Sequence, residues 1–204
     1  IDVRDLNIDM LSASAHKCGG PKGVGLLYVK SGIEIGSLIH GGHQEQGKRA
    51  GTLNVPGIVG FHEATKLAGT EMTTRMGKIR ELRDYLIAQV LDKIELAYLN
   101  GSPVSRLPNN AHFCFDYVEG ESLVVFLDQL GICASSGAAC ESDSIDPSHV
   151  VLAIGRDEDL AYGSLRFSIS ERTTKDQVDY VVALLTSIVE KLRKMSPLYQ
   201  VTIS

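Results

Sequence analysis

No stretch of the 204-residue sequence is apolar for long enough to span a bilayer, and its first residues do not read as a secretory leader. It contains no Cys-x-x-Cys pair; its four cysteines stand singly at positions 18, 114, 133 and 140. That spacing argues against a structural zinc site, and a disulfide framework is not expected in a chain this long. Each thiol must therefore be judged separately. Neither an internal repeat nor a low-complexity tract is visible. Positive charge is not in excess: the net charge is -5, which gives no reason to expect nucleic acid or an anionic membrane surface. A small anionic ligand would need a local site. What remains is an ordinary globular composition, 44% hydrophobic and 22% charged, able to bury a core in one large domain or two lobes. A cytoplasmic location is expected.

The pattern along the chain is mixed α and β. A strand is expected over 8–14, a Gly-Gly-Pro turn at 19–21, and a buried strand over 23–30. Residues 41–54 (GGHQEQGKRAGTLN) carry four glycines and read as a loop needing unusual backbone angles. Helical spacing covers 55–67 and continues over 70–94, with a break and lobe boundary expected at Gly69-Thr70. A strand over 111–118, a helix over 120–130 and a short strand over 132–135 follow. Next come a polar loop over 136–146, a helix begun by Pro147, a strand over 165–169 and a capped helix over 173–195. The expected domains are 1–69 and 70–204.

Three segments carry candidate chemistry. Lys17, between a strand end and a Gly/Pro turn, suits a partly desolvated amine that forms a Schiff base, with Ser14 and His16 near enough to bind phosphate oxygens. An ordinary surface lysine in a turn is the plain alternative. Cys140 lies in SSGAACESDS, where nothing is large enough to anchor a core; an exposed loop thiol is a poor structural choice and a good nucleophile. An adventitious surface thiol is the alternative there. Cys114 and Cys133 read as buried and inert, and Cys18 as a small filler. Arg166, between Leu165 and Phe167, should face away from them and offers a fork matched to a carboxylate; a structural salt bridge is the other use.

The string SASAHKCGGPKGVGLLYV resembles the cofactor-lysine segment of NifS/IscS-type cysteine desulfurases, in class V of the PLP-dependent aminotransferase superfamily. GGHQEQGKRAGTLN resembles that family's glycine-rich loop, SSGAAC its cysteine loop and GSLRFSIS its arginine strand. The four motifs keep the family's order, and the resemblance runs along essentially the whole chain. It implies PLP-dependent transferase fold type I, an α/β fold. Residues 1–69 would be the C-terminal part of the large PLP-binding domain, and 70–204 the α+β small domain with the cysteine loop.

The resemblance also implies conversion of L-cysteine to L-alanine with pyridoxal 5'-phosphate. Lys17 would hold the cofactor and Ser14 and His16 its phosphate. Thr52 would reach the phosphate of the opposite subunit in a homodimer, with a helix N-cap as its local alternative. Arg166 would bind the substrate carboxylate. Cys140 would take the sulfur as a persulfide for an iron-sulfur scaffold or another sulfur acceptor, meeting a cluster only during transfer, with no resident metal. Two other readings stay open: a class V aminotransferase or selenocysteine lyase relative, and a non-catalytic subunit.

The sequence departs from the family's pattern at His43, where a third glycine is usual, at Gln46 for arginine, and at Tyr162 for histidine. No segment matches the family's preceding half, which supplies the histidine stacked on the cofactor ring and the aspartate at its pyridine nitrogen. Alone, the chain is expected to bind PLP weakly and to leave a parallel sheet partly unpaired.

Overall fold

The computed structural model describes residues 1–137 and 147–202 and divides into two compact units, Ile1–Thr73 and Thr74–Ser204. In the first unit, strand β1 (Met10–Ser14) pairs antiparallel with β2 (Gly25–Val29), from Met10 opposite Val29 to Ser14 opposite Gly25. The two strands are mostly exposed: Leu26 and Leu27 of β2 keep 44% and 53% of their surface, which corrects the expectation of a buried strand. Their pairing is local and antiparallel because only a short turn joins them.

A single helix, α1 (Val55–Lys93), replaces the two expected segments. The Gly69-Thr70 step does not break it. Glycine there costs about 1 kcal/mol against alanine but removes no hydrogen bond. The Thr70 hydroxyl donates to the carbonyls of Lys66 and Leu67, 3.2 and 3.1 Å away, and so is satisfied within the helix. The start of α1 is capped by Asn54: its Oδ1 accepts from the Gly57 N–H at 3.1 Å and its carbonyl from the Ile58 N–H at 2.9 Å. Thr52, for which an N-cap was the local alternative, lies two residues too early.

The second unit is built on an antiparallel sheet in the order β3 (Ala97–Leu99), β4 (Asn110–Phe115), β5 (Ser164–Ser168). Alternation divides its faces. On one, Ala111, Phe113, Phe115, Leu165 and Phe167 join Leu86 and Val90 of α1, Leu123 and Leu127 of α2 (Gly120–Asp128), and Val182 and Leu185 of α5 (Lys175–Met195). Full burial of each such side chain stabilises the fold by roughly 1.5–3 kcal/mol. On the other face, Cys114 packs with Val151 of α3 (His149–Ala153) and Leu160 and Ala161 of α4 (Glu158–Tyr162). Helix α6 (Pro197–Thr202) ends the described chain.

Sequence pattern and structure agree on the cap of α5, where Thr174 and Gln177 form a reciprocal capping box. They disagree at Pro147, which precedes the cap residue Ser148 instead of opening the helix. The strand expected over 132–135 reduces to a single bridge, Ser135 opposite Arg166.

Two glycines let α2, α4 and β5 meet. A Cβ on Gly163 would strike the carbonyls of Phe115 and Val118, and one on Gly120 would strike that of Ser164. These are backbone atoms and cannot swing aside as a flexible side chain could. Gly163→Ala is expected to destabilise the second unit by about 3 kcal/mol. Thermal unfolding should show the midpoint lowered by roughly 10 °C; an unchanged midpoint would mean that this junction adjusts freely.

Candidate functional site

Lys17 lies in a 3-10 turn, Ala15–Cys18, directly after β1. Two tight contacts fix that turn on α1. A Cβ on Gly20 would come within 3.0 Å of the Ala15 Cβ and 3.2 Å of the Ala64 Cβ, and one on Gly60 within 2.9 Å of the Pro21 ring. Only glycine permits such approach. Ala15 is fully buried, its carbonyl accepts from the Gly20 N–H at 2.9 Å, and Gly19 turns the chain at φ 83°. The turn's small residues are its anchor; Ser14, His16 and Lys17 are left exposed. Lys17 is thus more open than the partly desolvated amine expected from the sequence.

None of these three side chains forms a hydrogen bond among the described residues. A hydroxyl, an imidazole and an amine therefore project from one turn with every polar group free. That donor set suits a phosphorylated carbonyl compound, with oxygen contacts from Ser14 and His16 and covalent capture by Lys17.

The glycine-rich loop meets the expectation of unusual angles. Glu45 and Gln46 have φ of 52° and 57°, and Gly41, Gly47 and Gly51 also lie at positive φ. The loop is stapled across its base: Gln44 Oε1 accepts from the Gly51 N–H at 3.1 Å, and the Ala50 N–H donates to the Ile39 carbonyl at 3.3 Å. His43 precedes the 3-10 turn Gln44–Gly47. Thr52 leaves this closed loop exposed and without a hydrogen bond among the described residues.

In the second unit, Arg166 stands on β5 between the buried Leu165 and Phe167 and faces away from their core, as alternation required. Its main chain pairs with Ser135 in both directions: the Arg166 N–H donates to Ser135 at 2.7 Å and the Ser135 N–H to Arg166 at 3.2 Å. The segment that carries Cys140 is thereby rooted on the arginine strand. Cys140 itself lies outside the described residues. Arg166 makes no ion pair among the described residues, and its Nε is buried without a partner there.

The remaining thiols divide differently from expectation. Cys114 is buried, its Sγ accepts from Asn100 Nδ2 at 3.1 Å, and burial pushes its pKa up, which keeps it an inert thiol. Cys133 is exposed, not buried, because the chain around it leaves the sheet instead of forming a strand. Cys18 is exposed too, with its Sγ donating to the Ala15 carbonyl at 3.2 Å, so it fills no space in a core. No group of His, Cys, Asp and Glu among the described residues could hold a metal ion. No helix among them is long and apolar enough to cross a membrane.

Sequence reasoning passed over His112, which lies opposite Arg166 across β4 and β5. Burial, then the charges of Arg166 and Arg106, lower its pKa from 6.5 to about 4. The unfolded chain takes up a proton below pH 6.5 that the folded chain refuses until about pH 4. The shift therefore costs nothing above pH 6.5 and destabilises the fold progressively as pH falls, by about 3 kcal/mol at the acid end. Urea midpoints measured from pH 7 to 4 should fall more steeply for this protein than for His112→Asn; parallel curves would contradict the assignment.

The family described as aminotransferase class-V matches residues 1–181. A cysteine desulfurase IscS of Dictyoglomus turgidum is 50% identical over 200 residues, covering 98% of this chain and 51% of its own. One from Methanosarcina thermophila is 50% identical over 198 residues, covering 97% and 49%. Among solved structures, a NifS-like protein from Rickettsia africae superposes with a TM-score of 0.83 at 28% identity, over 93% of this chain and 50% of that one. Another NifS-like protein gives 0.79 at 36% identity, over 93% and 48%. The chain spans about half the length of the curated relatives it matches.

Proposed function

Since the chain belongs to the aminotransferase class-V family and shares the fold of NifS-like proteins, we propose that the complete protein carrying it is a PLP-dependent cysteine desulfurase. The observation that carries this reading is the main-chain pairing of Arg166 with Ser135. It ties a guanidinium with no carboxylate partner among the described residues to Ser135, which precedes Cys140 in the chain. A group suited to a carboxylate, with a thiol a few residues along the sequence from its pairing partner, suits a substrate with a carboxylate and a sulfur atom, namely cysteine. The relatives named cysteine desulfurase support the same substrate.

PLP, when bound, supplies a ring that accepts the electron pair released at the substrate's α-carbon. This chain's residues do the rest. Lys17 would hold the cofactor covalently and would carry the proton to and from the substrate's α-carbon. Ser14 and His16 donate to the phosphate. Arg166 binds the substrate carboxylate and so fixes which bond faces the cofactor. The Cys140 thiolate attacks the substrate sulfur and keeps it as a persulfide, with alanine as the other product.

Thr52, without a hydrogen bond among the described residues, would contact the phosphate of the opposite subunit in a homodimer. Delivery is to an iron-sulfur scaffold or another sulfur acceptor in the cytoplasm. The test is product analysis of the complete protein given L-cysteine and a thiol reductant. Alanine and sulfide should appear in equal amounts. A keto acid in place of alanine would identify an aminotransferase and overturn the proposal.

A further inference from the structure

Among the described residues, three buried side-chain nitrogens lack a hydrogen-bond partner: Arg106 Nη1, His112 Nε2 and Arg166 Nε. They are not scattered. His112 is the cross-strand neighbour of Arg166, and both arginine charges act on its ring. Asn100, whose N–H donates to the His112 carbonyl at 2.8 Å, accepts through its own carbonyl from Arg106 Nη2. Arg106 is further held by its Nε, which donates to the Ser102 carbonyl at 2.9 Å. Asp84, whose charge reaches Arg106, is engaged by Arg83 at 2.6 and 2.9 Å.

Leaving one such polar group buried and unpaired is destabilising. A fold that leaves three together, two on guanidinium groups, is organised for an anion that supplies the missing acceptors. We infer that His112 is a second binding residue for the substrate's α-carboxylate, its Nε2–H donating to one carboxylate oxygen while the Arg166 fork holds the other. This rests on the reading of Arg166 given above. Burial and the charges of Arg166 and Arg106 keep the ring neutral, so His112 adds a donor without a third charge to desolvate. Arg106 contributes positive potential.

The experiment compares wild-type, His112→Leu, His112→Asn and Arg166→Leu forms of the complete, PLP-loaded protein. Four quantities are measured: KM and kcat for L-cysteine, the Kd of L-alanine from the cofactor absorbance, and the Kd of 2-aminoethanethiol, which lacks a carboxylate. His112→Leu should raise the cysteine KM and the alanine Kd about tenfold, the loss of one hydrogen bond to a charged group. It should leave kcat within about twofold and 2-aminoethanethiol unaffected. His112→Asn keeps an N–H donor on a smaller, shorter side chain and should recover part of the loss. In the wild type, the His112 ring NH resonance should move on titration with L-alanine.

Equal weakening of alanine and 2-aminoethanethiol, or a kcat defect at unchanged KM, would overturn the inference and leave His112 a structural residue. If His112→Leu fails to fold, the ring resonance decides: no movement on titration with L-alanine would overturn the inference. Should Arg166→Leu leave the cysteine KM unchanged, the carboxylate assignment itself fails. An Arg166 effect without a His112 effect removes this inference alone.

Discussion

Replacing Cys140 with serine in the complete protein should lower sulfide release from cysteine by about a thousandfold or more, close to 4 kcal/mol in barrier. A serine hydroxyl is far less acidic than a thiol and does not ionise near neutral pH, so the attacking anion is lost while the side chain's size is kept. PLP binding and the spectral response to added L-alanine should be unchanged, because both depend on other residues. Mass spectrometry of the wild type after brief exposure to cysteine should show one added sulfur on the peptide containing Cys140, and none in the variant. The exposed Cys133 and Cys18 are the internal controls. If Cys140→Ser retained full activity, or the added sulfur resided on Cys133, the nucleophile would be misassigned. Ser135 is pinned to Arg166, and the sequence that follows it up to Cys140 is made of small residues.

Lys17→Ala should be as damaging by a different route. Without the amine, the cofactor loses its covalent hold and the α-carbon loses its proton carrier, again for a fall of a thousandfold or more. The absorbance band of the lysine-bound cofactor should vanish, and reduction with borohydride should no longer attach the cofactor to the protein. Folding should be unaffected, since Lys17 is exposed and the turn is held by Ala15, Gly20 and Gly60. Alanine in place of Gly20 would instead push the turn off α1 and disturb Ser14, His16 and Lys17 together. A Lys17→Ala protein that kept the band would place the cofactor on another amine.

Much of the site could be read directly from residue types because its groups lie close in sequence. Ser14 ends β1, His16 and Lys17 lie on the turn that follows, and Gly19 and Gly20 come directly after it, although Gly60 meets the turn from α1. Gly41–Asn54 announced positive φ through its composition, and Arg166 its outward face through the apolar residues on either side. Periodicity likewise located the 111–118 strand and the last long helix with its cap.

Sequence by itself thus determined the chemistry on offer: a free amine beside phosphate donors, a loop thiol and an arginine suited to a carboxylate. Tertiary structure alone decided three other matters. It joined α1 across Gly69-Thr70, because an isolated glycine weakens a helix without stopping it. It exposed Cys133, because three residues without a partner strand make no sheet. And it set His112 beside Arg166, 54 positions away by number (166 minus 112), a pairing dictated by the register of β4 on β5. Local residue types encode what a side chain can do, whereas the company it keeps depends on strands that meet only when the chain has folded.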